Sequence, residues 1–518
     1  MKDGDAPTEI ELTLRLSPEG AARLRRHGVL AQWRTGRAVS RRLVATYFDT
    51  PDMDLRDQQV ALRVRKVGRR HVQTVKQAPQ SAGGLLTRLE DEAEVVSSRP
   101  DVSLVGHKKL RRMLTAPEVA ERLRPVFVTD FRRSVVPLQV RDSHIELAID
   151  QGEIKTESGS VRICEAELEL KEGGLAAIYE VARALNAVVP LQVETLSKAE
   201  RGYALIDGAA PPVRKAGAID IPPEATVGEA FQLLGRSCLL QLRANAGSAR
   251  AAVSNEAVHQ MRVAIRRLRS ALYAFRKALD EQERSHVTEL VRWIMKAMAP
   301  ARAWDVFVDE CLDPLRLHLP DEAARAALEG FADDVAEMRR QAHADVKATL
   351  ADPRFTTTCL EIEAWWETGG AMAALGEASA LPVEQFARDT LRQLGRRLID
   401  EADGIDHRAG EELHQLRIRA KKVRYAIEFF RSLFRKKAVK PYVAALAAVQ
   451  DRLGAINDAL TAQALLDQLD RERPPVDPAA RAGARALIAG WASARIAENL
   501  AALPDLWVEF AALKPFWR

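Results

Sequence analysis

The hydrophobic pattern of this chain changes at about residue 205, and no other feature constrains the fold as strongly. Before that point, short runs alternate apolar and polar residues, as in Glu9–Leu14 (EIELTL) and Val60–Val67 (VALRVRKV). Alternation with period two is typical of β-strands with two different faces. After that point, long segments rich in Ala, Leu and Arg have the 3.6-residue period of helices. The sequence therefore predicts an α+β protein of two domains: a strand domain over 5–205, a linker over 206–225 and an all-α domain over 226–518.

Several classes of protein are disfavoured by the composition. The four cysteines are far apart and form no C-x-x-C pair, so neither a disulfide framework nor a zinc ribbon is expected. No run approaches the roughly 18 apolar residues of a membrane-spanning helix, and the first residues lack a signal-peptide core. We therefore expect a cytoplasmic protein that does not contact a membrane. The net charge of +5 is too small to indicate a partner, so the positions of the charges must be considered.

Acidic side chains are concentrated on single faces of two predicted strands. Glu9 and Glu11 share one face of the first strand, and Glu165, Glu167 and Glu169 share one face of a later strand. Carboxylates in such a row repel one another unless a cation lies among them. Because carboxylate oxygens are the ligands that Mg²⁺ or Mn²⁺ prefers, this pattern favours a divalent-metal site.

Basic side chains mark other strands of the same region. Arg63 and Arg65 share a face, Lys76 ends the next strand, and Arg88 and Arg133 lie in two further segments. Guanidinium and ammonium groups both bind phosphate oxygens. A solvated outer sheet face is the alternative interpretation for any single strand. The segregation of acids from bases by strand instead favours a closed sheet that holds a polyanion through its bases and a metal through its acids.

Several segments, in this order along the chain, resemble the CYTH domain, the triphosphate tunnel metalloenzyme fold. The matching runs are EIELTL, YFDTPDMDLRDQQVALRVRK, HVQTVK, IELAIDQGEI, ICEAELELK and SKAERGY. The resemblance implies an eight-stranded antiparallel tunnel that hydrolyses or cyclises triphosphate-type substrates with Mg²⁺ or Mn²⁺. It implies metal binding by Glu9, Glu11, Asp150, Glu165, Glu167 and Glu169. It also implies catalytic roles for Glu9, Glu11, Arg63, Arg65 and Lys76, and substrate binding by Arg88, Arg133, Lys171 and Lys198.

Three positions depart from the CYTH pattern. Thr13 stands where the opening E-x-E-x-K motif has lysine, and Leu86 and Asp91 stand where related sequences often have His and Trp. Loss of one charge-assisted contact to phosphate removes about 1.5–3 kcal/mol of binding. Two hypotheses therefore remain open: a metal-dependent triphosphatase acting on inorganic triphosphate or related polyphosphate, and a non-catalytic polyphosphate-binding or granule-binding protein with a degenerate tunnel. Nucleotide cyclisation and thiamine triphosphate hydrolysis rank lower, since no residue pattern indicates recognition of a base or thiazolium.

One basic segment occurs twice in the helical region. Val258–Arg269 (VHQMRVAIRRLR) matches Leu413–Arg424 (LHQLRIRAKKVR) without a gap, at an offset of 155. At about 100° per residue, each copy places its basic side chains within an arc of about 80°. We call these two sets the stripes: His259, Arg262, Arg266 and Arg269 in the first copy, and His414, Arg417, Lys421 and Arg424 in the second. Because like charges on adjacent turns destabilise a helix, the duplication favours an anionic partner over a solvated face paired to nearby acids.

The duplicated segments resemble the CHAD domain, the conserved histidine α-helical domain. The matching runs are VHQMRVAIRRLRSAL, LHQLRIRAKKVRYAIEFF and QDRLGAIND. The resemblance implies a bundle of two pseudo-symmetric, four-helix-like halves that binds inorganic polyphosphate through the stripes. One departure is Ala303, which stands opposite Asp458 in the repeat. Nucleic acid is not an expected partner, because the stripes lack interleaved aromatic side chains for base stacking. The sequence leaves the oligomeric state open.

Overall fold

The computed structural model describes residues 8–77, 86–208, 213–251, 255–319, 321–402 and 410–518, without the side chains of 8, 9, 86–89 and 323. The chain divides into two compact units. The first contains Met1–Val213 and Leu350–Gly370, and the second contains Arg214–Thr349 and Ala371–Arg518. The first unit is built around a sheet and the second is helical, as the change of sequence pattern predicts.

The sheet of the first unit is antiparallel and closed. Its strands are β1 Thr8–Arg15, β2 Val39–Asp49, β3 Val60–Val67, β4 Arg70–Gln77, β5 Leu86–Val95, β6 Arg124–Val140, β7 Ser143–Thr156, β8 Gly159–Glu172 and β9 Gln192–Val193. The order β5-β4-β3-β2-β6-β7-β8-β1 closes because β1 pairs with β8 and also with β5. The eight-stranded antiparallel tunnel is therefore confirmed. The two-residue β9, which pairs with the end of β1, is an addition that the alternation does not predict.

The apolar face of much of this sheet points outward, under helices. The helices of this part of the chain are α1 Pro18–Arg26, α2 Asp54–Asp57, α3 Lys108–Leu114, α4 Pro117–Ala120, α5 Ala176–Val188 and α6 Lys198–Asp207. Leu12 of β1 and Leu168 of β8 are buried in one cluster with Leu24 of α1 and Leu185 of α5. Since side chains alternate along a strand, this outward core turns the charged residues of β1 and β8 into the tunnel.

The remaining helices follow residue 226. They are α7 Val227–Arg250, α8 Asn255–Ala274, α9 Glu281–Ala297, α10 Ala299–Phe307, α11 Asp313–His318, α12 Glu322–Ala351, α13 Pro353–Glu367, α14 Gly370–Leu375, α15 Val383–Ala402, α16 Gly410–Phe430, α17 Lys436–Glu472 and α18 Pro478–Ala511. None of the described helices combines the length and the apolar character needed to cross a lipid bilayer.

The helical unit consists of two halves with matching element starts. Helices α8 and α16 begin 155 residues apart, as do α9 and α17. Helices α7 and α15 begin 156 residues apart, as do α12 and α18. The two pseudo-symmetric halves are therefore confirmed, and the correspondence extends well beyond the duplicated segment. The halves differ in their third helix, because α9 ends next to Pro300 and is followed by α10, whereas α17 runs unbroken for 37 residues.

Helix α13 belongs to the sheet unit, although its sequence lies between the two helical halves. Leu360 is completely buried in the same cluster as the residues of α5. Asn186 of α5 donates hydrogen bonds of 2.9 Å to the Pro353 carbonyl and to Thr357 Oγ1. Thr356 Oγ1 donates a 2.5 Å bond to the Leu191 carbonyl. The sheet unit is thus completed by a segment distant in sequence.

Candidate functional site

A cavity of about 1100 Å³ lies inside the closed sheet, and polar and charged side chains make up most of its wall. The predicted residues that line it are Glu11, Arg63, Arg65, Lys76, Arg133, Glu165, Glu167, Glu169, Lys171 and Lys198. The side chains of Glu9 and Arg88 lie outside the described residues, although their backbones pair directly between β1 and β5. Lys171 contacts Glu169 and has a side chain that is 46% exposed, so it lies at the rim.

Two carboxylates of the cavity wall, Glu165 and Glu167, converge with that of Asp150, which is completely buried and is not part of the wall. Asp150 of β7 pairs in register with Glu165 of β8, and Glu167 follows two residues later on the same face. The three residues each offer an oxygen, and these oxygens lie within 4.8 Å of one another. Glu11 and Glu169, which pair between β1 and β8, extend the same acidic face. Clustered carboxylate oxygens of this kind fit the preference of Mg²⁺ or Mn²⁺.

Lys198, the first residue of α6, reaches into the carboxylate cluster. Its Nζ lies 2.9 Å from Asp150 Oδ2 and 2.6 Å from Glu167 Oε1, and it also contacts Glu165. Burial alone would lower the pKa of Lys198, but the three carboxylates outweigh burial and raise it. The ammonium therefore stays charged and neutralises part of the cluster.

Two arginines complete the neutralisation of this acidic side. Arg133 donates bonds of 2.8 and 2.7 Å to Asp150 and contacts Glu167. Arg201 donates a 2.6 Å bond to Glu165. Burial would raise the pKa of Glu167, but Arg133 and Lys198 hold it well below its usual range. Likewise, Lys198 and Arg201 overcome burial and lower the pKa of Glu165. Glu165 and Glu167 are therefore ionised at neutral pH.

The basic wall of the cavity is crowded with like charges. Arg63 Nη2 lies 3.6 Å and Lys76 Nζ 3.0 Å from the carboxylate of Glu90, whereas Arg65 lies 3.9 Å from Glu92. The positive charge of Arg63, followed by burial, lowers the pKa of Arg65 to about 10. Repulsion of this kind between cations is relieved when an anion binds between them.

The sequence analysis missed several residues of this cavity. Glu90 and Glu92 could have been found, because they alternate on β5 and pair in register with Lys76 and Thr74 of β4. Arg201 lies one helical turn after Lys198, so a helical reading of SKAERGY would have placed both on one face. Tyr47 gave no signal, because a single tyrosine in β2 belongs to no pattern. Burial would raise the pKa of its hydroxyl, but the positive charge of Arg63 lowers it.

In the helical unit, α8 and α16 pack against each other and bring the stripes together. Burial, followed by the charges of Arg417 and Arg266, lowers the pKa of Lys421 to about 7. Burial, followed by Arg266 and Arg302, lowers the pKa of Arg262 to about 10. The structure thus places cations of both helices within electrostatic range of one another. Arg302, which the sequence analysis missed, adds one more.

The ends of the stripes differ in their surroundings. Arg269 is exposed, and its pKa is lowered by burial of part of its side chain and by Arg292 of α9. Arg424 remains close enough to Lys421 to lower its pKa and donates a 3.1 Å bond to Gln450. The central residues of the two stripes therefore form one cationic surface between α8 and α16. Arg269 lies apart from this surface.

The two helical halves also differ around their histidines. In the second half, His414 Nδ1 lies 2.9 Å from Asn457 Oδ1, and Arg417 lies 3.9 Å from Asp458. The equivalent positions in the first half are Arg302 and Ala303. Among the described residues, none forms a hydrogen bond with the buried Nδ1 of His259. Close to its histidine, the first half therefore has an additional arginine and no counterpart of Asp458, so the local charge there is more positive than in the second half.

Comparison with known families agrees with the geometry of the tunnel and with that of the paired stripes. The family model for the CYTH domain matches residues 7–203, and the model for the CHAD domain matches residues 234–467. The chain is a CYTH domain followed by a CHAD domain. The expectation drawn from the sequence motifs is confirmed at this level, and the tunnel and the paired stripes lie in the CYTH and CHAD parts respectively.

Individual relatives match one domain each. The inorganic triphosphatase of Haemophilus influenzae is 30% identical over 198 residues, which are 38% of this chain and 54% of that protein. The chain thus spans about half the length of this curated relative. The CHAD domain of the plant Ricinus communis is 28% identical with a TM-score of 0.51, covering 58% of this chain and 98% of that structure. PptA from Streptomyces chartreusis is 18% identical with a TM-score of 0.41, covering 55% of this chain and 100% of that structure.

Proposed function

We propose that the CYTH tunnel hydrolyses inorganic triphosphate or a related polyphosphate with the help of a divalent metal. The observation that carries this proposal is the pair of opposed walls. One wall has Arg63 and Arg65 close enough for the first to depress the pKa of the second. The other has the carboxylate cluster of Asp150, Glu165 and Glu167, in which the pKa values of the two glutamates are lowered. A triphosphate would add negative charge between the crowded cations of the basic wall. The similarity to the inorganic triphosphatase of Haemophilus influenzae supports this substrate class.

Each group in the tunnel has a defined role in this proposal. Arg63, Arg65 and Lys76 bind phosphate oxygens. They hold the triphosphate in line for attack by water. Water forms a bond to the terminal phosphorus, the bridging P–O bond breaks, and diphosphate and phosphate leave while the proton of water passes to solvent. The carboxylate cluster fits Mg²⁺ or Mn²⁺, and a cation held there would neutralise the charge that develops on the phosphate oxygens.

The test is phosphate release by the full chain from triphosphate, ATP and long polyphosphate, with and without Mg²⁺ or Mn²⁺. We expect metal-dependent release that is fastest with triphosphate. Arg65→Gln should lower kcat/KM by about 10- to 100-fold, the usual effect of losing a hydrogen bond to a charged group. Arg70→Gln is the matched control, because Arg70 is 70% exposed and pairs with Glu94. No release from any substrate would contradict the proposal and favour the second candidate, a binding-only tunnel, to which Thr13 points.

We also propose that the CHAD domain binds inorganic polyphosphate between the two stripes, and that the protein associates with polyphosphate granules. Arg262, Arg266 and Lys421 support this, since within the described ranges no carboxylate forms an ion pair with them. Charge reversal of these three residues and Arg417 to Glu should abolish binding of long polyphosphate in a calorimetric titration. Arg392→Glu, at an exposed position paired with Asp389, should not. Unchanged binding by the quadruple variant would refute the role of the stripes.

A further inference from the structure

Tyr273, near the end of α8, is surrounded by cationic side chains that are not part of the stripes. Lys422 Nζ lies 3.9 Å and Arg276 Cζ 4.1 Å from the centroid of its ring. Burial would raise the pKa of the Tyr273 hydroxyl, but the positive charges of Lys422, Arg276 and Arg397 of α15 lower it. Within the part of the chain that the structure describes, no carboxylate forms an ion pair with these three cations. The side-chain partner of Arg276 beyond the ring is the neutral amide of Gln393, at 3.2 Å.

The internal repeat explains why this cluster lacks a negative charge. At the offset of 155, Lys422 corresponds to Arg267, and Tyr273 corresponds to Glu428. Arg267 Nε lies 3.1 Å from Glu428 Oε1, which forms a cation–carboxylate pair between α8 and α16. The reciprocal contact between the same two helices is Lys422 over the ring of Tyr273. One half of the repeat therefore neutralises its cation, and the other does not.

An aromatic ring attracts a cation without cancelling its charge. Three positive side chains, from α15, from α16 and from the turn that follows α8, consequently surround the phenol of Tyr273. Tyr273, Arg276 and Lys422 are only partly buried and Arg397 is exposed, so an anion can reach the cluster from solvent. The guanidinium fork of Arg397 and the ammonium of Lys422 suit the oxygens of a tetrahedral anion.

We propose that Tyr273, Arg276, Arg397 and Lys422 form a binding site for a phosphoryl oxyanion, which takes the place of the carboxylate that Glu428 supplies in the other half. The ligand is either free inorganic phosphate or the end group of a condensed phosphate chain. The second source rests on the polyphosphate binding proposed above, whereas the first does not.

The experiment uses the full chain with Arg63→Gln, Arg65→Gln, Arg266→Gln and Lys421→Gln, without divalent metal, so that the tunnel and the stripes contribute little. Inorganic phosphate and tripolyphosphate are each titrated by calorimetry into this protein. Arg276→Gln, Arg397→Gln and Lys422→Gln should each weaken binding at least tenfold, whereas Arg392→Gln on the same helix as Arg397 should leave it unchanged. Weakening for inorganic phosphate identifies the free ion as ligand. Weakening for tripolyphosphate alone identifies a chain end.

Tyr273→Glu provides a decisive second variant, because it restores the carboxylate of the other half. We expect this variant to raise the melting temperature, since Lys422 and Arg276 gain a partner. We also expect it to abolish phosphate binding by the background protein in which the tunnel and the stripes are weakened. If this variant does not fold, the three glutamine variants decide alone. Phosphate affinities unchanged in all three, or undetectable binding of both ligands before they are introduced, would overturn the proposal. Neither result would contradict the proposal that the stripes bind polyphosphate, because the charge-reversal experiment tests that proposal separately.

Discussion

Thr13 of β1 lies directly opposite Glu167 of β8, in the position where the CYTH opening motif has lysine. Glu167 still has cationic partners, because Lys198 Nζ lies 2.6 Å from its carboxylate and Arg133 contacts it. The acidic side of the tunnel therefore keeps its charge balance without the motif lysine. What the tunnel lacks is one cation for the substrate.

Replacement of Thr13 by Lys should restore that cation. A charge-assisted contact to phosphate contributes about 1.5–3 kcal/mol, so we expect kcat/KM for triphosphate to rise about tenfold or more, measured by phosphate release. Thr13→Met is the control, since it adds length without charge and should not raise the rate. A Thr13→Lys variant no faster than the natural protein would show that other residues already fill this role.

Lys198→Met should destabilise the fold at neutral pH, because it removes an ammonium shared by Asp150, Glu165 and Glu167. Breaking a buried ion pair from one side typically costs about 3–5 kcal/mol. Bound Mg²⁺ should restore much of the melting temperature by replacing the lost charge. Lys155→Met, at an exposed lysine paired with Glu153, should melt like the natural protein. An equal response of both variants to Mg²⁺ would contradict a metal site at these carboxylates.

The pH dependence of stability gives a second test of the role of Lys198. In the natural protein the pKa values of Glu165 and Glu167 are lowered, so their stabilisation is present above the ordinary carboxyl pKa and is lost as the pH falls below it. In Lys198→Met the carboxylates repel one another, and their pKa values should rise. The variant should therefore gain stability as the pH falls from 7 to 5, whereas the natural protein should not. Thermal melts across this range measure the difference.

The sequence predicts the inward carboxylates of β8 well, for a simple geometric reason. Period two assigns every second residue to one face, so Glu165, Glu167 and Glu169 had to share a surface. The alternation could not place Lys198 among these carboxylates, because no local periodicity relates a helix after β9 to β8. Lys198 was predicted only through the CYTH resemblance, and as a residue that binds substrate. The face that points inward also depends on where the helices pack, which only the folded chain decides.

The placement of α13 could not be predicted for a related reason. Its apolar residues indicate that one side of the helix is buried, but a pattern does not identify the surface that buries it. Leu360 packs against α5, more than 170 residues earlier in the chain. By contrast, the duplicated stripe segments predicted the equivalence of α8 and α16 because both copies retain the same residue types at the same spacing.

Leu360→Ala should reveal how far the CYTH unit depends on this distant helix. Truncation of a fully buried leucine costs about 2–5 kcal/mol, and we expect hydrogen exchange to accelerate in α5 as well as in α13. Leu381→Ala is the control, because Leu381 is 54% exposed and its truncation should change little. Faster exchange confined to α13 would mean that the sheet unit is stable without it.

Ala303 of α10 and Asp458 of α17 occupy equivalent positions of the CHAD halves, and this difference predicts opposite effects of a carboxylate. Ala303→Asp would place near Arg262 the charge that Asp458 places near Arg417, so polyphosphate affinity should fall several-fold. Asp458→Ala removes such a charge and should raise the affinity. Both changes in affinity follow from the Coulombic interaction of the carboxylate with the same bound polyphosphate. Both changes should therefore become smaller at high salt. The affinities are measured by titration with polyphosphate. If the affinity changes in the same direction in both variants, the two positions do not act on the same anion.

Lys421 should link proton binding both to folding and to polyphosphate. Its pKa is lowered to about 7 by burial, Arg417 and Arg266, whereas an unfolded lysine titrates near 10.4. Between these values the unfolded chain binds more protons, so the free energy of unfolding rises with pH. Lys421→Met should flatten that rise and stabilise the fold near pH 7, while Lys440→Met, at an exposed position, should do neither.

The anion should reverse this shift when it binds. A phosphate chain near Lys421 favours the charged ammonium, so its pKa rises and binding at pH 8 takes up a proton. Polyphosphate affinity should therefore fall as the pH rises from 7 to 9 in the natural protein, and much less in Lys421→Met. Calorimetric titration in two buffers of different ionisation enthalpy measures the proton uptake directly. Equal uptake by both proteins would mean that Lys421 is not the group that responds to the chain.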